Sequence, residues 1–305
     1  MSLKKAYNLA SSRKAGKFYA EDEILNFGLV MGGFEKQFLA ILKKNKAQAK
    51  KEINLWLDDL ERTYSSKMRQ INLVAGYGGF ALSQMAGDQE VSPGLYKQAF
   101  EDQVQALSSV DLVEARILRN ALATRLKKNF EKIYAEYDQM AKESLGLNLD
   151  QMRAQLFEKA IWRDNIALID RSGRAWGFEQ YSTMYSRTRS LEITDTITER
   201  DMSRVGLDVV WITDSSTQTP FCKTLEGKYF SRFGETPGLP ELKFKPPFHP
   251  NCRHQALPVS GDPVSKYIRI NKALDEQIRS ERAGWTPAER RSVAKMQAWN
   301  LAHRA

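Results

Sequence analysis

Four of the five cysteine and histidine residues in this chain fall between positions 222 and 254, inside a segment that also holds most of its proline. The two cysteines are Cys222 and Cys252; the histidines are His249, His254 and the distant His303. Seven of the ten prolines (Pro220, Pro237, Pro240, Pro246, Pro247, Pro250 and Pro258) lie in or at the end of the stretch from Asp214 to Pro258. Proline fixes φ and removes a backbone donor, so this stretch forms little regular structure and buries little apolar surface unaided. It needs a staple. Thiolate and imidazole are the groups zinc prefers, and Cys222, His249, Cys252 and His254 together suffice for a tetrahedral structural site. Pro246, Pro247 and Pro250 stiffen the loop and lower the entropic cost of organising it.

On the residues alone, three staples stay open: a bound zinc ion, histidines hydrogen-bonded to loop carbonyls beside ordinary buried thiols, or a Cys222–Cys252 disulfide. The spacing contains no Cys-x-x-Cys pair and is not that of a common zinc finger. Cys222 with His249, oriented by Asp208 or Asp214, also has the composition of a nucleophilic pair. No glycine-rich phosphate loop or carboxylate pair accompanies it, so the chain reads as a structural protein and not an enzyme.

Around this knuckle the expected architecture is mainly α. Long N-terminal helices precede a small α+β module that contains the loop-rich Cys/His knuckle, and a helical C-terminal tail follows. The corresponding domains are 1–160, 161–260 and 261–305. Residues 21–51 carry Ile24, Phe27, Phe34, Phe38, Leu39 and Leu42 near helical spacing, with Gly32 and Gly33 expected to bend or split the helix. Residues 53–73 continue in the same style, and Gly76, Gly78 and Gly79 interrupt the apolar run after Ile71. Ser92 is a candidate cap, Pro93 and Gly94 a turn, and residues 95–107 and 111–145 two further helices, the last with a stripe of Leu112, Ile117, Leu118, Leu122, Leu126, Phe130, Ile133 and Tyr134 and ended by Gly146. A hairpin is expected across residues 166–178 with its turn at residues 171–174, then a helix from Tyr181 to Val205 ended by Gly206, and a strand from Val209 to Thr213. In the tail, Thr286, Pro287 and Glu289 form a capping box at the start of the last helix.

The formal charge is +9 with a pI near 9.4, which favours polyanionic partners. Lys43, Lys44, Lys46, Lys50 and Lys51 make the one dense basic run, either a solvated helix face or a phosphate-facing patch. Arg187, Arg189, Arg200 and Arg204 pose the same choice, with Arg189–Glu192 and Arg204–Asp201 as candidate pairs within the helix. No apolar run approaches the roughly 20 residues of a membrane span, and no apolar core follows the basic N-terminus as in a secretory signal. The expectation is synthesis in a cytoplasm, with no membrane partner.

The order of these features resembles a known family. The strings Ile169-Asp170-Arg171-Ser172-Gly173-Arg174-Ala175-Trp176, Tyr181-Ser182-Thr183-Met184-Tyr185-Ser186-Arg187-Thr188, Cys222-Lys223-Thr224-Leu225-Glu226-Gly227-Lys228 and Pro246-Pro247-Phe248-His249-Pro250-Asn251-Cys252-Arg253 are similar to those of the Mu-F-like minor head, or minor capsid, proteins of tailed phages. The resemblance covers roughly residues 160 to 258. Two positions depart from it: Thr219 and His254 stand where many relatives carry cysteine. The resemblance implies a low-copy virion component near the portal and capsid interior, acting in head morphogenesis and in DNA packaging or ejection. Portal and capsid proteins, and packaged double-stranded DNA, would be its partners, with assembly in the host cytoplasm. A DNA-binding or DNA-processing protein with a structural metal knuckle is the alternative.

Overall fold

The structure, a computed structural model, describes residues 20–86, 93–143, 148–169, 173–214 and 219–304. It is mainly α-helical with small strands, as the sequence patterns indicate. The elements are α1 (Glu21–Leu42), α2 (Lys46–Ala86), α3 (Pro93–Glu143), α4 (Leu149–Glu158), α5 (Ala160–Ile166), β1 (Leu168–Ile169), β2 (Ala175–Trp176), α6 (Phe178–Val205), β3 (Val209–Ile212), α7 (Pro220–Lys223), β4 (Tyr229–Ser231), β5 (Ala256–Pro258), α8 (Val264–Ala283) and α9 (Pro287–Arg304). They form two compact units, one of residues 22–71 and 105–186, the other of residues 1–21, 72–104 and 187–305. The expected cap Ser92, the helix end at Gly146, the N-terminal residues and the turn residues 170–172 lie outside the described residues.

In the unit of residues 22–71 and 105–186, aromatic side chains organise the core. Phe38 meets Trp56 at 5.0 Å and Trp162 at 5.5 Å between ring centroids, and Trp56 stacks on Phe178 at 6.0 Å. Such pairs contribute about 0.5–1.5 kcal/mol each beyond simple area burial. The Trp56 indole N–H donates to the Phe34 carbonyl at 3.0 Å, so this buried donor is satisfied. Buried Glu35 of α1 accepts the Phe178 backbone N–H at 2.7 Å, capping the first turn of α6 with negative charge. The expected hairpin is present but short, with Leu168 opposite Trp176 and Ile169 opposite Ala175.

Glycine does not break α1 or α2. α1 passes through Gly32 and Gly33 uninterrupted, because Met31, Phe34, Phe38 and Leu39 bury on one face and outweigh the roughly 1 kcal/mol that a helical glycine costs. α2 likewise runs through Gly76, Gly78 and Gly79. α3 joins the two helices expected at 95–107 and 111–145; the Ser109 hydroxyl folds back to the Ala106 carbonyl at 2.6 Å without ending it. Its stripe is narrower than expected: Leu118, Leu122, Leu126, Phe130 and Ile133 are buried, whereas Leu112 and Ile117 are exposed.

In the other unit, β3 is the central strand of an antiparallel sheet ordered β4–β3–β5. Val210 and Ile212 are buried, as is all of β5. Asn271 of α8 completes the sheet at β4, accepting the Tyr229 N–H at 2.8 Å and donating to the Tyr229 carbonyl at 2.7 Å. The Thr residues of α6 are used in tertiary contact: Thr194 and Thr198 donate to the Ala75 and Gly79 carbonyls of α2 at 3.0 and 3.2 Å. The capping box of α9 forms as expected, with Thr286 and Glu289 exchanging side-chain and backbone hydrogen bonds.

A buried Cys/His knuckle as the candidate functional site

Local chain chemistry brings the ligand-type residues together. α6 ends at Val205, where Gly206 adopts φ +71°, and the chain turns into β3. Pro220 opens α7 at a first-turn position that needs no N–H donor, and the short helix buries Cys222. After it, the Leu225 and Glu226 N–H groups fold back to the Cys222 carbonyl at 2.9 and 3.0 Å. Gly227, at φ +73°, then donates to the Ile212 carbonyl at 2.9 Å, and Lys228 reaches Asp275 at 2.5 Å. These contacts account for the Leu-x-Gly-Lys pattern: leucine to bury, glycine for the left-handed turn, lysine for α8.

The second segment of the knuckle is a tight turn closed by Cys252 N–H to the His249 carbonyl at 3.1 Å. Asn251 sits at its corner with φ 64°, a conformation asparagine tolerates better than most residues. The motif helix seats this corner. Arg187 Nη1 donates to Asn251 Oδ1, and Asn251 N–H donates to the Thr188 hydroxyl at 3.0 Å. Arg187 is buried, and its guanidinium meets the Glu21 carboxylate at 2.6 and 3.2 Å. Arg187 therefore faces protein, not phosphate. Arg189 pairs with Glu192 at 2.9 Å and Arg204 with Asp201 at 3.8 Å, as the spacing suggested.

Cys222, Cys252 and His254 each bring a ligand atom within 4.8 Å of the others, and this group could hold a metal. All three are sealed from solvent, at 0%, 1% and 1% exposure. His254 Nδ1 lies 3.3 Å from the Cys252 sulfur, and its Nε2 lies 2.6 Å from the Glu226 carboxylate. Both cysteines are free thiols. His249, the remaining member of the expected set, lies outside the three-atom group. Its Nδ1 is 2.8 Å from the Pro250 carbonyl, while its Nε2 is buried without a hydrogen-bond partner. Glu226 was not among the expected site residues; its position four after Cys222, one helical turn on, was the available signal.

The charges at the knuckle are mutually arranged. Burial pushes the Cys252 thiol up, but the hydrogen bond from Cys222 and the neighbouring imidazoles of His249 and His254 favour the thiolate and hold its pKa well below the ordinary cysteine value. Cys222 is pushed up, first by its hydrogen bond to Cys252 and then by burial. Burial pulls His254 down, yet contact with the Cys252 sulfur and the Glu226 carboxylate raises it to about 9. His249 is also raised: burial opposes, and the neighbouring Cys252 prevails. The Cys252 sulfur thus lies beside the His254 ring, with the Glu226 carboxylate on the ring's far side.

The motif helix thus seats a knuckle whose sulfur and imidazole donors are buried. The chain belongs to the phage minor capsid protein 2 family, whose family model matches residues 83–263. That span includes the motif helix α6 and the whole knuckle. Proteins of this kind are structural components of the phage virion. Searches of the curated proteins and of the solved structures each gave no match. Among the described residues no helix is long and apolar enough to cross a membrane.

Proposed function

We propose that this chain is a minor head protein that acts in head morphogenesis near the portal, during DNA packaging or ejection, and that it has no catalytic role. Family membership over the motif helix and knuckle is the observation that carries this reading. The motif residues support it by what they contact: Arg187, Thr188 and Asn251 spend their polar groups on one another and on Glu21. The finer kinship with Mu-F-like head proteins rests on the His-Pro-Asn-Cys-Arg string and the upstream Cys-x-x-Leu-x-Gly. Residues 161–260 would be the Mu-F-like minor head module that carries the Cys/His knuckle, with assembly in the host cytoplasm. The test is co-expression with portal and major capsid proteins, followed by purification at high salt. Retention of the chain on portal rings or heads is expected; its absence from both would overturn the reading.

We also propose that the knuckle holds structural zinc. The donor set fits: Cys222 and Cys252 would supply sulfur and His254 would supply Nδ1, while Glu226 accepts from Nε2 and fixes the ring, the usual carboxylate support of a ligating histidine. His249, which neighbours Cys252 and has a buried Nε2, is a further candidate donor. Bound zinc would supply cross-linking of α7 to the turn at Asn251. Metal analysis of the reduced protein should find about one zinc per chain, lost in Cys222→Ser; free thiols without metal and an unchanged Tm in that variant would refute it.

A further inference from the structure

α2 and α3 run antiparallel within the unit of residues 22–71 and 105–186, in a register marked by ion pairs. Glu61 meets Arg116 at 3.5 Å and Asp58 meets Arg119 at 2.6 Å. Lys46, twelve residues before Asp58, meets Glu131, twelve residues after Arg119. Between the last two rungs the pattern inverts. Lys50, four residues after Lys46, falls opposite Lys127, four residues before Glu131, and Lys51 and Lys128 stand beside them. These four lysines are exposed, and none pairs with an acid among the described residues. Lys43 and Lys132, also exposed and without an acidic partner among the described residues, flank the same corner, where the Tyr134 hydroxyl donates to the Lys44 carbonyl at 2.8 Å. The two acids of the corner are already engaged, Glu52 by Lys44 and Glu131 by Lys46.

Like charges set opposite each other repel, and helices usually place acids there. Here two separate segments of the chain bring lysines to one rung and leave them without counter-charge. We propose that this lysine rung of α2 and α3 is a contact surface for the phosphate backbone of duplex DNA. Flexible ammonium groups suit phosphates as point charges and carry no base information. Tyr134, beside the rung, is half-buried with its ring 5.8 Å from that of Phe130 and its hydroxyl on the Lys44 carbonyl, a poor platform for an unpaired base, so a duplex fits better than a single strand. The choice of DNA among polyanions rests on the reading of the chain as a head component; the unbalanced rung does not. Lys50 and Lys51 precede the family-matched span, whereas Lys127 and Lys128 lie within it.

The test is fluorescence anisotropy of the full chain with a labelled duplex of about 30 base pairs and mixed sequence, titrated across NaCl concentrations. Affinity should fall steeply with salt. K50Q/K51Q/K127Q/K128Q should bind at least about tenfold more weakly near 0.1 M salt, with a log–log salt slope shallower by about three to four. K243Q/K272Q/K295Q, which removes lysines from the other unit, should change affinity less than about twofold. Helicity should be unchanged in the quadruple variant and Tm equal or higher, because repulsion is relieved. A quadruple variant with wild-type affinity and slope, or with a lowered Tm, would overturn the proposal, as would wild-type binding to polyglutamate as tight as to DNA. Portal capture separates this from the head reading. Capture without any DNA binding sinks the rung alone, and DNA binding through the rung without capture sinks the head reading alone.

Discussion

Arg187 and Asn251 are 64 residues apart in the chain and are joined by a hydrogen bond from guanidinium to side-chain amide. One belongs to the Arg-Thr helix string, the other to the His-Pro-Asn-Cys-Arg turn. Two strings that look independent in the sequence are thus one contact, and the turn carrying Cys252 takes its position from α6.

Asn251→Ala removes both the bond to Arg187 and tolerance of φ 64°. It should destabilise the protein by roughly 2–4 kcal/mol, combining a lost charge-assisted bond with the strain of a left-handed alanine. Asn251→Gly keeps the conformation and loses only the bond, so it should cost about half as much. Urea unfolding of the two variants beside wild type measures the order; equal losses would show that backbone conformation plays no part.

Glu226→Gln alters no ligand but weakens the support behind His254. On the zinc reading, metal affinity should drop by roughly 10–100-fold, measured by competition with a chromophoric chelator. Cys252→Ser should abolish retention of the metal. An affinity untouched by Glu226→Gln would mean that His254 is not a ligand.

Two helical glycines should respond with opposite signs. A Cβ at Gly79 would lie 2.5 Å from the Thr194 carbonyl and 3.1 Å from the Thr198 hydroxyl, so Gly79→Ala forces α2 off α6 and should cost about 1–3 kcal/mol. A Cβ at Gly33 meets nothing within 4 Å, so Gly33→Ala should stabilise by roughly 0.5–1 kcal/mol. Thermal unfolding of both variants checks the pair.

Asp208 gathers the loop after β4: its carboxylate accepts from Ser231 and Thr236 hydroxyls at 2.5 Å each and from the Phe233 N–H at 2.6 Å. Burial pushes its pKa up, but these bonds prevail and hold it below the usual aspartate value. A folded pKa below the unfolded value means that the contribution is complete above about pH 4 and fades as pH falls through the folded value. The urea midpoints of wild type and Asp208→Asn should therefore differ near neutrality and converge toward pH 2 to 3. Parallel acid curves would contradict it.

The amphipathic helices, the hairpin, the strand at Val209 and the capping box of α9 were legible because each depends on neighbours within a few residues. Cys222, Cys252 and His254 were legible as a group because such residues are scarce. What escaped the sequence depends on distant partners. Gly79 reads as an interruption until Thr194 and Thr198 of α6 are beside it. β4 and β5 have three residues each, too few for a period to register, and exist because β3 lies between them. Arg187 has the look of a surface cation, and only Glu21 and Asn251 make it an interior one.

Because Cys222 and Cys252 meet at one place, the chain between them leaves the knuckle and returns to it. Its tip, around Gly234 and Glu235, is exposed. Lengthening a loop whose ends are pinned costs little, about 0.6 kcal/mol for each doubling. The tip can therefore be lengthened while the base stays the same, and a foreign peptide spliced there should leave the buried thiols undisturbed.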